Sequence, residues 1–170
     1  IDNGGEVARL EGAAVTTNLF RTLGVAPMLG AAFPDDANVA GKGDLVILSH
    51  RLWQREFGAS PDVIGKRLLV EAVPHTIVGV AGDVKTFGLE AEAGFVFYGA
   101  ATQYPTWNPM MLVCRSRGPS VDTVRASLRS IDPNVPLSAV SSMDTLFEES
   151  LGPRRFNLYL LSAFAGVALA

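Results

Sequence analysis

The chain contains few charged residues and a single cysteine. Charged residues make up 18% of its 170 residues, whereas soluble domains usually contain about 25%. Cys114 is the one cysteine, so no disulfide can form within the chain. Basic residues form no cluster beyond Arg154 and Arg155, and the net charge is −3. Because phosphates require a positive stripe, this charge distribution argues against nucleic-acid binding.

Sequence signatures of catalysis, nucleotide binding and metal binding are also missing. The chain has no G-x-S-x-G motif. Lys66 follows a glycine, but Arg67 occupies the position where a phosphate-binding loop needs serine or threonine. The two histidines, His50 and His75, do not occur at the spacing of a zinc site. We therefore expect no catalytic residues, no cofactor and no metal ion, and we interpret the protein as a non-enzyme.

One catalytic alternative stays open at this stage. A polar loop over residues 82–94 carries Asp83, Lys85, Glu90 and Glu92. These carboxylates could act as acid and base if they lined a pocket together with His75. Such loop charges are more often simply solvated.

The last fifteen residues, 156–170, carry no charge at all. A membrane-spanning helix needs about 20 mostly apolar residues, and a shorter run is often a buried core helix. Because the run is apolar on all sides, it fits either lipid or a protein core. No helix-end signal follows it, so we expect a spanning helix cut part-way and a chain that is a fragment of a larger protein.

Hydrophobic periodicity predicts alternating strands and short helices. Asn18 is expected to cap a short helix that ends at Gly24, and Ser49 to cap a helix that ends at Gly58. Residues 66–71 and 75–80 form a candidate hairpin. The other expected strands are residues 7–11, 45–48, 95–98, 110–115 and 136–140.

A strand–helix–strand order over residues 110–140 suits one βαβ unit. The helix is expected to begin after Ser120, and Asp132-Pro133 ends it. Cys114 falls in the first strand, where a free cysteine usually behaves as a small apolar residue. Trp107 lies in a proline-bounded loop and is our candidate for an exposed contact with a partner protein, although tryptophan is usually mostly buried.

Several segments together resemble the MacB-like periplasmic core domain of MacB/FtsX-type ABC-transporter permeases. The stretches that carry the resemblance are VTTNLFRTLGVAPMLG at 15–30, VILSHRLWQREFG at 46–58, VIG at 63–65 and TIVGV at 76–80. The sequence PRRF at 153–156, with the apolar run after it, looks like the entry into the family's second membrane helix. GVAGDVK at 79–85 and DPNVP at 132–136 are most similar to duplicated orphan permeases of acidobacteria.

The resemblance implies an α+β fold with two subdomains. Residues 1–33 and 110–150 would form a βαβ-containing layer near the membrane, and 34–109 an inserted mixed α/β lobe. Residues 151–170 would start a transmembrane helix.

The resemblance also implies a non-catalytic domain on the periplasmic side of the inner membrane. It would couple movement of the transmembrane helices to export or to a periplasmic partner, and ATP hydrolysis would occur on a separate cytoplasmic ATPase. The alternative is a free-standing soluble ligand-binding domain with the C-terminal helix in its core.

Overall fold

The computed structural model describes residues 10–39, 44–70, 73–84, 92–104, 110–115, 118, 121–148 and 150. The chain divides into two compact units, Ile1–Arg115 and Ser116–Ala170. Several predictions fall on residues outside the described part of the chain. These residues are 7–9 of the first expected strand, the expected membrane helix at 151–170, and Lys85, Glu90 and Trp107.

A mixed sheet of six strands organises the described part of the first unit. Its strands are β1 (Glu11–Val15), β2 (Leu29–Gly30), β3 (Leu45–Ser49), β4 (Arg67–Val70), β5 (Val73–Ala81) and β6 (Val96–Ala100). Their order is β1-β6-β3-β5, and β2 and β4 both pair with β5. β1 runs parallel to β6, and β3 parallel to β5, while the remaining pairs are antiparallel.

The two central strands β3 and β6 are continuous apolar runs that are buried along nearly their whole length. Such runs are expected where a sheet is covered on both faces. β5 instead alternates in its first half, because only one face of that part of the strand is buried. These patterns explain why residues 45–48, the hairpin and residues 95–98 could be predicted, and all three predictions are confirmed.

Short helices cover the two faces of the sheet. α1 (Leu19–Leu23) places Phe20 in a cluster with Ile47 and Tyr98, while α2 (His50–Phe57) places Leu52 against Leu48 on the other face. Neighbouring residues of β3 therefore serve opposite cores. Burial of each such large apolar side chain contributes about 1.5–3 kcal/mol.

The predicted helix ends are confirmed for α2 and half confirmed for α1. The Ser49 side chain accepts from the N–H of Leu52, and Gly58 ends α2 in a left-handed conformation with φ 58°. Gly24 ends α1 in the same way, with φ 73°. The predicted Asn18 cap is wrong, because its side chain makes no cap hydrogen bond and instead accepts from the Thr16 hydroxyl at 2.7 Å.

Two expected strands are not found. Residues 110–115 and 136–140 are described and neither forms a strand. The side chains of Met110 and Met111 are 84% and 90% exposed, and Cys114 is exposed as well. An apolar run specifies burial but not the strand that must pair with its backbone, so periodicity alone was insufficient here.

The second unit contains α3 (Val121–Ile131), which confirms the predicted helix. A further helical segment covers residues 143–148. Ser142 begins it, since its Oγ accepts from the N–H of Thr145 at 3.1 Å. Among the described residues, no helix has the length and hydrophobicity that crossing a membrane requires.

The α+β class is confirmed. The division at residues 33/34, 109/110 and 150/151 stays a prediction. β1 and β2, from the first of those segments, hydrogen-bond to β6 and β5 within one sheet.

Candidate functional site

Polar groups converge at the N-terminus of α2, where β3 ends. Ser49 is buried, and its Oγ accepts from the N–H of Leu52 at 3.4 Å and from the N–H of Val96 at 3.1 Å. Asp83 follows β5, and its Oδ1 accepts from the N–H of Arg51 at 2.8 Å. The two side chains thus satisfy two of the free N–H groups of the helix, and a carboxylate is favoured at that positive end.

Asp83 also influences two neighbouring side chains. Its Oδ2 lies 3.7 Å from Nδ1 of the half-buried His50. Burial, and to a lesser extent the negative charge of Asp83, raises the pKa of Tyr98 above its usual 10.0. Tyr98 therefore stays neutral at physiological pH, where it packs edge-on against Phe20 with ring centroids 5.4 Å apart. This arrangement is suited to a stable connection between β5, β6 and α2.

An open groove of about 470 Å³ runs beside α2; we call it the α2 groove. Its lining consists of Arg51, Gln54, Arg55, Glu92, Ala93, Gly94 and Phe95. One wall is therefore the exposed side of α2, and the other is the segment that leads into β6.

Two arginines dominate the α2 groove. Nη1 of Arg51 donates to Oε2 of Glu92 at 3.1 Å and to the carbonyl of Ala93 at 2.8 Å. The guanidinium of Arg55 lies 3.6 Å from the centroid of the Phe95 ring, and its Nε donates to Glu56 at 2.6 Å. Both guanidinium groups are therefore held in place. Their chemistry favours recognition of a carboxylate rather than proton transfer, since arginine stays protonated.

The structure separates His75 from Asp83, two of the residues that the catalytic alternative would bring together. His75 lies in β5 and is 3% exposed. Its Nδ1 donates to the carbonyl of Val73 at 2.9 Å, and its Nε2 accepts from the Tyr104 hydroxyl at 2.8 Å. Extended backbone from His75 to Ala81 spans about 20 Å, and Asp83 lies beyond it. Glu92 pairs with Arg51 instead, and Glu90 lies outside the described residues.

The other residues considered from the sequence are scattered. Trp53 and Phe57 pack against the core, as predicted. Trp107 lies outside the described residues, so its role as a partner contact stays a prediction. In the part of the chain that the structure describes, no group of three or more His, Cys, Asp or Glu side chains could hold a metal ion.

Sequence reasoning missed the α2 groove. Arg51 and Arg55 occur four residues apart on one helix, which signals a shared face. Their contacts with Ala93 and Phe95 depend on tertiary structure, however, and no local pattern encodes them.

A second cavity, of about 280 Å³, lies in the C-terminal unit at the end of α3. Arg125 and Arg129 contribute to its lining, and Arg125 pairs with Asp122 at 2.7 Å. Positive side chains near a helix C-terminus stabilise the negative end of the helix dipole. We therefore interpret these arginines as structural.

Comparison with known proteins places the fold in a family. Residues 2–131 match the family model of the MacB-like periplasmic core domain. The macrolide export ATP-binding/permease protein MacB of Burkholderia cenocepacia (strain HI2424) is 31% identical over 74 residues, which are 44% of this chain and 11% of that protein. The chain thus aligns with only a small part of this curated relative.

Two solved structures are similar to the chain. The periplasmic region of MacB from Actinobacillus actinomycetemcomitans superposes with a TM-score of 0.50 at 16% identity, covering 71% of this chain and 54% of that one. The extracellular domain of the noncanonic ABC-type transporter YknZ from Gram-positive bacteria gives a TM-score of 0.43 at 17% identity, covering 54% of this chain and 43% of that one. The family match extends over well more than half of the 170 residues, and the chain belongs to the MacB-like periplasmic core domain family of ABC-transporter permeases.

Proposed function

We propose that this chain is the extracytoplasmic domain of a MacB/FtsX-like permease of the inner membrane. It is non-catalytic and couples movement of the flanking transmembrane helices to export or to a periplasmic partner. ATP hydrolysis takes place on a cytoplasmic ATPase. The observation that carries this proposal is the family match over residues 2–131.

The construction of the first unit supports a mechanical role. Its central strands are buried on both faces, and the segment before β6 is tied to α2 through Arg51. A close-packed body of this kind moves as a whole rather than absorbing displacement. Coupling further requires that the domain has two arrangements whose populations the membrane helices shift.

The non-catalytic role is supported by the chemistry of the α2 groove. Its charged side chains are Arg51, Arg55 and Glu92. The arginines cannot act as a general base, and Glu92 is a single exposed carboxylate that pairs with Arg51. A charged pair of this type suits recognition or positioning.

Topology mapping on the full-length protein tests the proposal. A reporter is inserted at the exposed Gly58, in the turn after α2, where a side chain would meet no described atom beyond the neighbouring residues. We expect activity of a reporter that folds only outside the cytoplasm, such as a disulfide-dependent phosphatase. If a reporter that works only in the cytoplasm is active at this position and the phosphatase is not, the proposal is overturned.

Deletion of residues 156–170 separates the proposal from the ligand-binding alternative. If the run belongs to the membrane, the shortened chain keeps the cooperative unfolding of its first unit. If the run fills a protein core, its loss removes several buried side chains at about 1.5–3 kcal/mol each and unfolds the domain. Circular dichroism with urea titration distinguishes these outcomes.

Trp107 remains the proposed contact with the periplasmic partner. Trp107→Ala should weaken binding of that partner by tenfold or more, a loss of about 1.4 kcal/mol or more. The unfolding midpoint of the chain should change little in the same variant. A variant with normal partner binding in a pull-down titration would remove Trp107 from the interface.

A further inference from the structure

We propose that the α2 groove is a docking site for an acidic segment of a partner protein. A carboxylate of that segment replaces Glu92 on Arg51, and a second one binds the free edge of the Arg55 guanidinium. An apolar side chain of the segment lies along Phe95. The existence of a partner rests on the proposed function, whereas the binding chemistry rests on the groove itself.

The guanidinium of Arg51 is held independently of Glu92. The carbonyl of Ala93 accepts from the same Nη1 atom at 2.8 Å. When Glu92 leaves, this bond keeps the guanidinium in the groove. A donor that is already in place loses less conformational freedom when it binds, which favours recognition of an incoming carboxylate.

Glu92 is easily exchanged for another carboxylate. Its side chain is 86% exposed, and its contact with Arg51 is 3.1 Å long. An ion pair in this setting is strongly screened by water and contributes little. A carboxylate delivered by a partner, with water excluded around it, forms a stronger pair with the same arginine.

Arg55 offers a second binding position for a carboxylate. Its guanidinium carbon lies 3.6 Å from the centroid of the partly buried Phe95 ring, and its Nε donates to Glu56. The Nη edge of a guanidinium offers parallel donors that match the two oxygens of a carboxylate. Contact with the ring restricts the position of those donors.

The charge balance of the groove agrees with an anionic occupant. Its lining carries two guanidinium groups and one exchangeable carboxylate. Glu56 is largely covered by its contact with Arg55, and Glu11 lies beside Gly94 at the rim. Displacement of Glu92 therefore increases the positive charge that faces the occupant.

Fluorescence anisotropy with two labelled peptides tests the proposal on the full chain in detergent. The acidic probe is Gly-Phe-Asp-Glu-Phe-Gly, and its neutral match is Gly-Phe-Asn-Gln-Phe-Gly. We expect the acidic probe to bind and the neutral probe to bind at least about tenfold more weakly, as for loss of a charge-assisted bond. Salt should weaken the acidic complex.

Three variants make the test specific. Glu92→Gln removes the competing carboxylate and should tighten binding of the acidic probe by about threefold to tenfold. Arg55→Gln should weaken it by about tenfold or more. Arg67→Gln, which changes an exposed arginine of β4 outside the groove, should leave the affinity unchanged.

Equal binding of both peptides would refute carboxylate recognition. A Glu92→Gln variant that binds the acidic probe no more tightly would refute it as well. The titration extends to about 1 mM peptide, which corresponds to a binding free energy of about −4 kcal/mol. Self-association of the chain that depends on Arg55 would identify a second copy as the occupant and overturn the proposal. Peptide binding is independent of topology, so a cytoplasmic location would refute the proposed function alone.

Discussion

Gly99→Ala should destabilise the first unit by forcing Tyr104 from its position. A methyl group at Gly99 would overlap the Tyr104 ring. That ring stacks on His75 with centroids 5.8 Å apart, and its hydroxyl donates to Nε2 of His75 at 2.8 Å. Since His75 is almost completely buried, no solvent molecule can easily replace the lost donor.

The expected magnitude follows from these contacts. A buried acceptor without its partner costs about 1–3 kcal/mol, and loss of an aromatic pair costs about 0.5–1.5 kcal/mol. Replacing a strand glycine by alanine returns about 0.5–1 kcal/mol. We therefore expect Gly99→Ala to lower the free energy of unfolding by about 0.5–4 kcal/mol, with a central value of about 2 kcal/mol.

Urea unfolding followed by circular dichroism measures the effect, with Gly82→Ala as the matched control. Among the described residues other than its chain neighbours, no atom lies within 4 Å of a methyl group at Gly82, so that change should be nearly neutral. In a Tyr104→Ala background, Gly99→Ala should cost less than about 0.5 kcal/mol, because the clash is gone. Additive effects of the two changes would refute this reasoning.

The remaining predictions concern α2, Tyr98 and the sheet. Ser49→Ala leaves two N–H groups without an acceptor and should cost about 2–3 kcal/mol in urea unfolding, whereas Ser60→Ala, at an exposed cap, should cost less than about 1 kcal/mol. The stabilisation from neutral Tyr98 is complete below pH 10.0 and is lost as the pH rises through its raised folded pKa. Asp83→Asn should lower that pKa partly, because burial is the larger cause; a tyrosinate absorbance titration that shows no change would contradict this. Gly79→Ala should cost about 2–3 kcal/mol by thermal or urea unfolding, since its methyl group would overlap the backbone next to β2; a neutral change would contradict the close approach.

Local signals in the sequence predicted much of the sheet and the ends of α2. Ser49 and Gly58 act on the backbone next to them, so their effect can be predicted without knowledge of the fold. Asn18 makes no cap hydrogen bond because its side-chain oxygen accepts from the hydroxyl of Thr16, two residues earlier in the chain.

Features that depend on distant residues could not be predicted in this way. The apolar residues 110–115 suggested a buried strand, yet a strand also requires a backbone partner that composition does not specify. Gly99 gave no sign of its role, because the need for glycine arises from the position of Tyr104. The α2 groove likewise depends on contacts between α2 and the segment before β6.

Labelling of Cys114 tests the central claim most directly. This cysteine is exposed and is the only one in the sequence of the chain. A membrane-impermeant maleimide is added to spheroplasts that express the full-length protein, with Cys114→Ser as the control for all other thiols. The account predicts labelling of Cys114 without lysis. Labelling that occurs only after the membrane is broken would contradict an extracytoplasmic domain.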